Sequence, residues 1–140
     1  MLHAQWLSVS FFGILLVCGA AQADQLKFTA NLAPGPGITS SGKGAATASL
    51  DTATKTLTWT VEYSGLSGPA TAAHIHGPAD PGADAGVVVP FTGNLASPIK
   101  GSATLTDTQI AQLEAGKWYV NIHTAANKGG EIRGQLVHAS

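Results

Sequence analysis

The chain has 140 residues, a formal net charge of −1 and 44% hydrophobic residues. Its 7 Lys and Arg are scattered, with no basic run, so neither nucleic acid nor an anionic membrane surface is indicated as a partner. The only cysteine is Cys18, which excludes an internal disulfide.

Residues 1–23 read as a cleavable signal peptide. Leu7 to Ala21 is apolar apart from Ser8 and Ser10. It is shorter than the roughly 20 apolar residues of a bilayer-spanning helix. It runs into Ala21-Gln22-Ala23, the small-x-small pattern that a signal peptidase accepts. The segment before it holds no Lys or Arg, only the terminal amine and His3. An uncleaved anchor and lipoprotein processing at Cys18 are the rival readings. Val17 stands before that cysteine where a small residue is expected. Cleavage would leave residues 24–140 as a single domain beginning at Asp24, secreted or periplasmic. That domain holds every charged side chain and no cysteine, so its chemistry is not thiolate chemistry. It has no further apolar stretch with which to cross a membrane.

From Leu26 onward, short apolar–polar alternations are separated by Gly, Pro, Asn and Asp clusters, which predicts an all-β fold. Leu26 to Asn31 is a first strand, and Pro34-Gly35-Pro36-Gly37 breaks it into a loop. Gly44 to Leu50 and Thr56 to Tyr63 follow, joined by a turn at Asp51-Thr52-Ala53-Thr54. In the latter strand Leu57, Trp59, Val61 and Tyr63 share one face. Thr71 to His76, Val87 to Phe91 and Ile99 to Leu105 are further strands, with a Pro/Gly/Asp-rich loop from Gly77 to Gly86. Thr106-Asp107-Thr108-Gln109 has the form of a capping box. It opens a short helix with Ile110 and Leu113 inward, stopped by Gly116. Trp118 to Thr124 and Glu131 to His138 form a terminal hairpin around Asn127-Lys128-Gly129-Gly130. The expectation is an antiparallel Greek-key sandwich, immunoglobulin-like or superoxide-dismutase-like, of about eight strands and one short helix.

Four histidines lie beyond residue 24: His74, His76, His123 and His138. His74-Ile75-His76 on a strand sends both rings to one face and Ile75 into the core. In Tyr119-Val120-Asn121-Ile122-His123, Val120 and Ile122 take the core face, so His123 points away from it. Pairing Ile122 with Gly134 and Val120 with Leu136 would set Arg133 opposite His123, with Glu131 beside it on the same face. Three imidazoles from two strands suit copper(II) or zinc. The same rings could equally serve as hydrogen-bonded supports of the sheet ends, held by Glu131, Asn121 and loop carbonyls. Both readings stay open at this point. His138, close to the chain end, reads as a frayed surface residue. Asp80 and Asp84 read as solvated turn residues rather than calcium ligands. Trp59 and Trp118 read as core residues rather than a carbohydrate platform.

Ala73-His74-Ile75-His76-Gly77-Pro78-Ala79, Trp118-Tyr119-Val120-Asn121-Ile122-His123-Thr124 and Gly130-Glu131-Ile132-Arg133-Gly134-Gln135-Leu136 together resemble the CHRD domain, named after chordin. The resemblance runs from about Leu26 to Leu136. It implies a secreted β domain and no settled activity. A looser resemblance is to the copper/zinc superoxide dismutases, which also place a His-x-His on one strand and a third copper-binding histidine on a later one. His74, His76 and His123 match that arrangement. No histidine lies between His76 and His123, so the bridging and zinc-site ligands have no counterpart here. This implies a single ion at most.

The leading expectation is an exported, non-enzymatic module that binds copper, or alternatively zinc, through His74, His76 and His123. Arg133, Glu131 and Asn121 would orient the rings. The alternatives are a structural or interaction domain with an extracellular or periplasmic protein partner, and a mononuclear metal-dependent redox enzyme.

Overall fold

The computed structural model describes residues 13–16 and 24–140. The leader expected over residues 1–23 therefore lies outside the described residues apart from Gly13–Leu16. Among the described residues nine strands form: β1 (Gln25–Pro34), β2 (Lys43–Asp51), β3 (Thr56–Ser64), β4 (Ala70–His76), β5 (Val87–Pro90), β6 (Ile99–Thr104), β7 (Tyr119–Thr124), β8 (Ile132–Gln135) and β9 (Val137–His138). One helix, α1 (Asp107–Glu114), precedes β7. The hydrogen-bonded path runs β5-β4-β7-β8-β1-β2-β3-β6, with β9 also on β1. Every pairing along it is antiparallel. The expected all-β antiparallel architecture with one short helix is what forms.

Two sheets face each other across the core and share β1. Along one edge β1 pairs with β2 from Gln25↔Asp51 to Leu32↔Gly44. Along the other, Ala33 and Pro34 pair with β8 while Phe28 and Thr29 pair with β9. The strand expected over Glu131 to His138 is thus split at Leu136, whose N–H donates instead to Trp118 O at 2.9 Å. Alternation does the sorting. Leu57, Trp59 and Val61 of β3, and Phe28, Ala30 and Leu32 of β1, are buried on the inner face. Ile75, Val120, Ile122 and Ile132 meet them from the second sheet. Trp59 stacks on Phe91 with centroids 4.9 Å apart, and Trp118 is fully buried, so both tryptophans serve the core.

The helix begins as its sequence dictates. Gln109 N–H donates to Thr106 Oγ1 at 3.2 Å, and Gln109 Oε1 accepts from Thr106 N–H at 2.9 Å. Leu113 is fully buried, and Gly116 turns the chain away at φ 71°.

The β7–β8 register differs from the expected one by two residues. Ile122 pairs with Ile132, Val120 with Gly134, and Asn121 with Arg133. Arg133 therefore lies across from Asn121, not His123. A shift of two keeps every side chain on its expected face, so the apolar pattern could not detect it. In this register Leu136 N–H meets Trp118 O. Gly134 then comes to the point where β1 passes closest; a Cβ there would lie 2.0 Å from Asn31 O.

Candidate metal centre

β4 and β7 are neighbours, with His74 opposite Asn121, His76 opposite Tyr119 and Ala72 opposite His123. His123 thus stands diagonally across from His74 on the face turned away from Ile75. The three rings meet. Ring centroids are 5.3 Å apart for His74–His76, 4.9 Å for His74–His123 and 5.8 Å for His76–His123. One ligand atom from each ring lies within 4.8 Å of the other two. Nitrogens on a tetrahedral ion, at about 2.0–2.1 Å from it, stand roughly 3.3 Å from one another. His74 Nδ1 and His123 Nε2 are already at that spacing, 3.1 Å apart, while the set as a whole lies within 4.8 Å.

Two rings are oriented by backbone carbonyls. His76 Nδ1 donates to Ala85 O at 2.9 Å, and His123 Nδ1 donates to Lys128 O at 2.8 Å. A neutral imidazole has one N–H, so both Nε2 atoms carry lone pairs. Among the described residues His76 Nε2 has no hydrogen-bond partner although it is buried. His123 Nε2 accepts from His74 Nδ1. Burial, and then the neighbouring His123 and His76, hold the His74 pKa below its ordinary 6.5. Burial also lowers His76. The Ala85 carbonyl opposes that shift, His123 and Arg133 add to it, and Asp84 opposes it. Neutral imidazole is the ligating form. His76 and His123 are each 9% exposed and His74 is half-buried, so the set is reached from the side of His74.

The residues expected around the rings divide. Asn121 lies next to His74 and donates Nδ2 to Gly129 O at 3.1 Å; its buried Oδ1 has no partner among the described residues. Arg133 reaches the 83–84 segment, with Nη1 on Asp84 Oδ1 at 2.7 Å and Nη2 on Ala83 O at 2.6 Å. Glu131 turns away. Its carboxylate is fully buried and accepts from Ser40 Oγ at 2.8 Å, Ser67 N–H at 2.9 Å, Thr124 Oγ1 at 2.8 Å, Asn127 Nδ2 at 3.0 Å and the Ser67 hydroxyl. It joins the loop after β1, the loop after β3 and the β7–β8 turn, and none of these bonds reaches a ring. Burial pushes its pKa up, but the Ser67, Thr124 and Ser40 hydrogen bonds outweigh that and leave it at about 2, against an ordinary 4.5.

His138 is exposed, as a surface residue should be, but it is not frayed: it lies in β9 and packs on Phe28 with centroids 4.6 Å apart. Asp80 pairs with Lys117 and Asp84 with Arg133, so both are ion-pair partners in the loop. The groups sequence reasoning missed are the Ala85 and Lys128 carbonyls and Tyr119. Backbone acceptors in irregular loops leave no mark in a sequence. Tyr119 could have been placed by parity, since it shares the outer face with Asn121 and His123.

The chain matches the family model of the CHRD domain over residues 28–136. This protein belongs to the CHRD domain family. No curated protein and no solved structure matched the chain. All three clustered histidines of this CHRD domain fall within the matched segment, as do the two carbonyls that orient them.

Proposed function

We propose that this CHRD domain is exported and binds one copper ion, or alternatively zinc, through His74, His76 and His123, as a metal-sequestering or metal-handling module rather than an enzyme. The observation that carries the reading is the convergence itself: three imidazoles with ligand atoms within 4.8 Å, two of them with Nδ1 on a backbone carbonyl and Nε2 turned away from it. Of these, the His76 Nε2 lone pair is buried without a donor among the described residues, which is unfavourable unless something occupies it. Three nitrogen donors suit both ions, and copper(II) binds such a set more tightly than zinc(II). A protein partner outside the cytoplasm would receive or supply the ion.

Titration of the purified protein with copper(II) and zinc(II), beside His74→Ala and His123→Ala variants, tests the reading. Stoichiometric binding that is lost in both variants supports it; equal binding by all three sinks it. A second reading draws on the His74–His123 contact, which at 3.1 Å is also an ordinary hydrogen bond. On that reading the rings only join β4 to β7, and the wild type takes up no ion. A dismutase or reductase assay on loaded protein tests the redox alternative. Export is supported by the apolar stretch and the Ala21-Gln22-Ala23 pattern at the N-terminus. Fractionation of cells expressing the full chain should find the protein outside the cytoplasm with Asp24 as its first residue; an intact N-terminus on cytoplasmic protein overturns that part.

A further inference from the structure

Which nitrogen of His76 carries the proton is decided by its surroundings. A proton on Nε2 would be a buried donor without an acceptor, and it would set the Nδ1 lone pair against Ala85 O at 2.9 Å. The Ala85 carbonyl therefore determines that Nε2 is the lone pair. Yet that carbonyl belongs to an irregular loop, Gly77 to Gly86, whose ends are joined by Gly77 N–H on Gly86 O at 3.1 Å but in which no strand ladder fixes Ala85 O.

The loop is held from the neighbouring strands instead. Ala85 N–H donates to the Tyr119 hydroxyl at 3.0 Å, and that hydroxyl donates to Ala85 O at 3.3 Å. Arg133 takes the two residues before it, through Asp84 Oδ1 and Ala83 O. The Arg133 guanidinium also lies 3.8 Å from the Tyr119 ring centroid, and the His76 ring stacks on Tyr119 at 5.0 Å and 8°. β7 runs between β4 and β8, so His76 and Arg133 flank Tyr119 from opposite sides. Three consecutive loop residues and one imidazole are thus referred to a single rigid ring.

We propose that Tyr119 and Arg133 are positioning residues for His76: by holding residues 83–85 they aim the Ala85 carbonyl at Nδ1 and present Nε2 towards His74 and His123. The consequence for affinity rests on the metal reading; the tautomer does not, because it is set with or without an ion. Outer groups of this kind commonly change metal affinity 10–100-fold when removed.

Long-range ¹H–¹⁵N correlation spectra of metal-free, ¹⁵N-labelled protein read the tautomer directly. The wild type should show His76 in the Nδ1–H form alone. Tyr119→Phe keeps the ring and removes the hydroxyl. Arg133→Lys keeps the charge and loses the two-pronged fork, and serves as the second variant should the first fold poorly. Each should give a mixture of His76 tautomers while His123, bonded to Lys128 O, stays unchanged. Copper(II) affinity should fall about 10–100-fold with an altered electron-paramagnetic-resonance spectrum. A wild-type His76 protonated on Nε2, or variants with unchanged tautomer and affinity, overturns the proposal. Tautomers that shift in the variants of a protein that binds no copper support the positioning role and overturn the metal reading instead.

Discussion

His74 Nδ1 lies 3.1 Å from His123 Nε2, although 49 positions separate the two residues in the chain. His123 already gives its own N–H to Lys128 O, so the proton in this contact belongs to His74. An ion bound between the rings through His74 Nδ1 would take that proton's place, with His74 carrying its N–H on Nε2 instead.

Thermal unfolding should register the exchange. A ligand that binds only the folded state stabilises it by about 2.7 kcal/mol at one hundred times its Kd. The unfolding midpoint should rise by several degrees in copper(II) or zinc(II) and return when a chelator is added. His74→Ala and His123→Ala should each abolish the rise. A rise of equal size in both variants would place the ion elsewhere.

Stability should fall in two stages on acidification. His74 and His76 have pKa values lowered in the folded state, so below the ordinary 6.5 the unfolded chain takes up more protons than the folded one. Metal-free protein should therefore begin to lose stability as pH drops through 6.5. Glu131 follows: its contribution is complete above 4.5 and is lost as pH falls towards about 2. Urea midpoints measured across this range in the wild type and His74→Ala should separate the stages, the variant losing part of the first and keeping the second. A flat profile between pH 7 and 5 in the wild type contradicts the first stage.

Glu131 matters through what it accepts. Removing the carboxylate in Glu131→Ala leaves the buried Thr124 hydroxyl and the part-buried donors of Ser67 and Asn127 without their partner. The expected loss is on the order of 3 kcal/mol, read as a lower urea midpoint with unchanged slope. The rings should keep their arrangement, because no Glu131 bond reaches them. A variant as stable as the wild type would show that the carboxylate does not brace these loops.

Much of the domain was legible because strand alternation has a period of two. Ile75 inward with His74 and His76 outward, and Val120 and Ile122 inward with His123 outward, follow from parity alone. Leucine, valine and isoleucine mark the inner face wherever β1, β3 and β7 run. The same parity is blind to a slip of two residues, and so Arg133 was expected opposite His123 and stands opposite Asn121. Glu131 shows a second limit. Its place in the chain suggested the outer face, but it precedes β8, outside the regular ladder, and there the Ser40, Ser67 and Thr124 hydroxyls draw the carboxylate inward. Those partners lie 91, 64 and 7 positions away, beyond any local pattern.

The hairpin register has its own test in Gly134. A Cβ at that position would stand 2.0 Å from Asn31 O and 3.0 Å from Leu32 Cδ2. The nearer atom is backbone, so rotating a side chain gives no relief; β1 and β8 must separate. Because β1 belongs to both sheets, that movement would disturb the core and loosen the β7–β8 pair that carries His123. Gly134→Ala should destabilise the protein by about 3 kcal/mol, the upper end of ordinary overpacking. Gly129→Ala is the matched control, since nothing lies within 4 Å of its Cβ position. It should change stability by less than about 0.5 kcal/mol. Hydrogen exchange should show faster amides in β1 and β8 for the first variant alone. Equal stability of the two variants would mean that β1 does not pass over Gly134 as described, and the pairing of Asn121 with Arg133 would lose its main support.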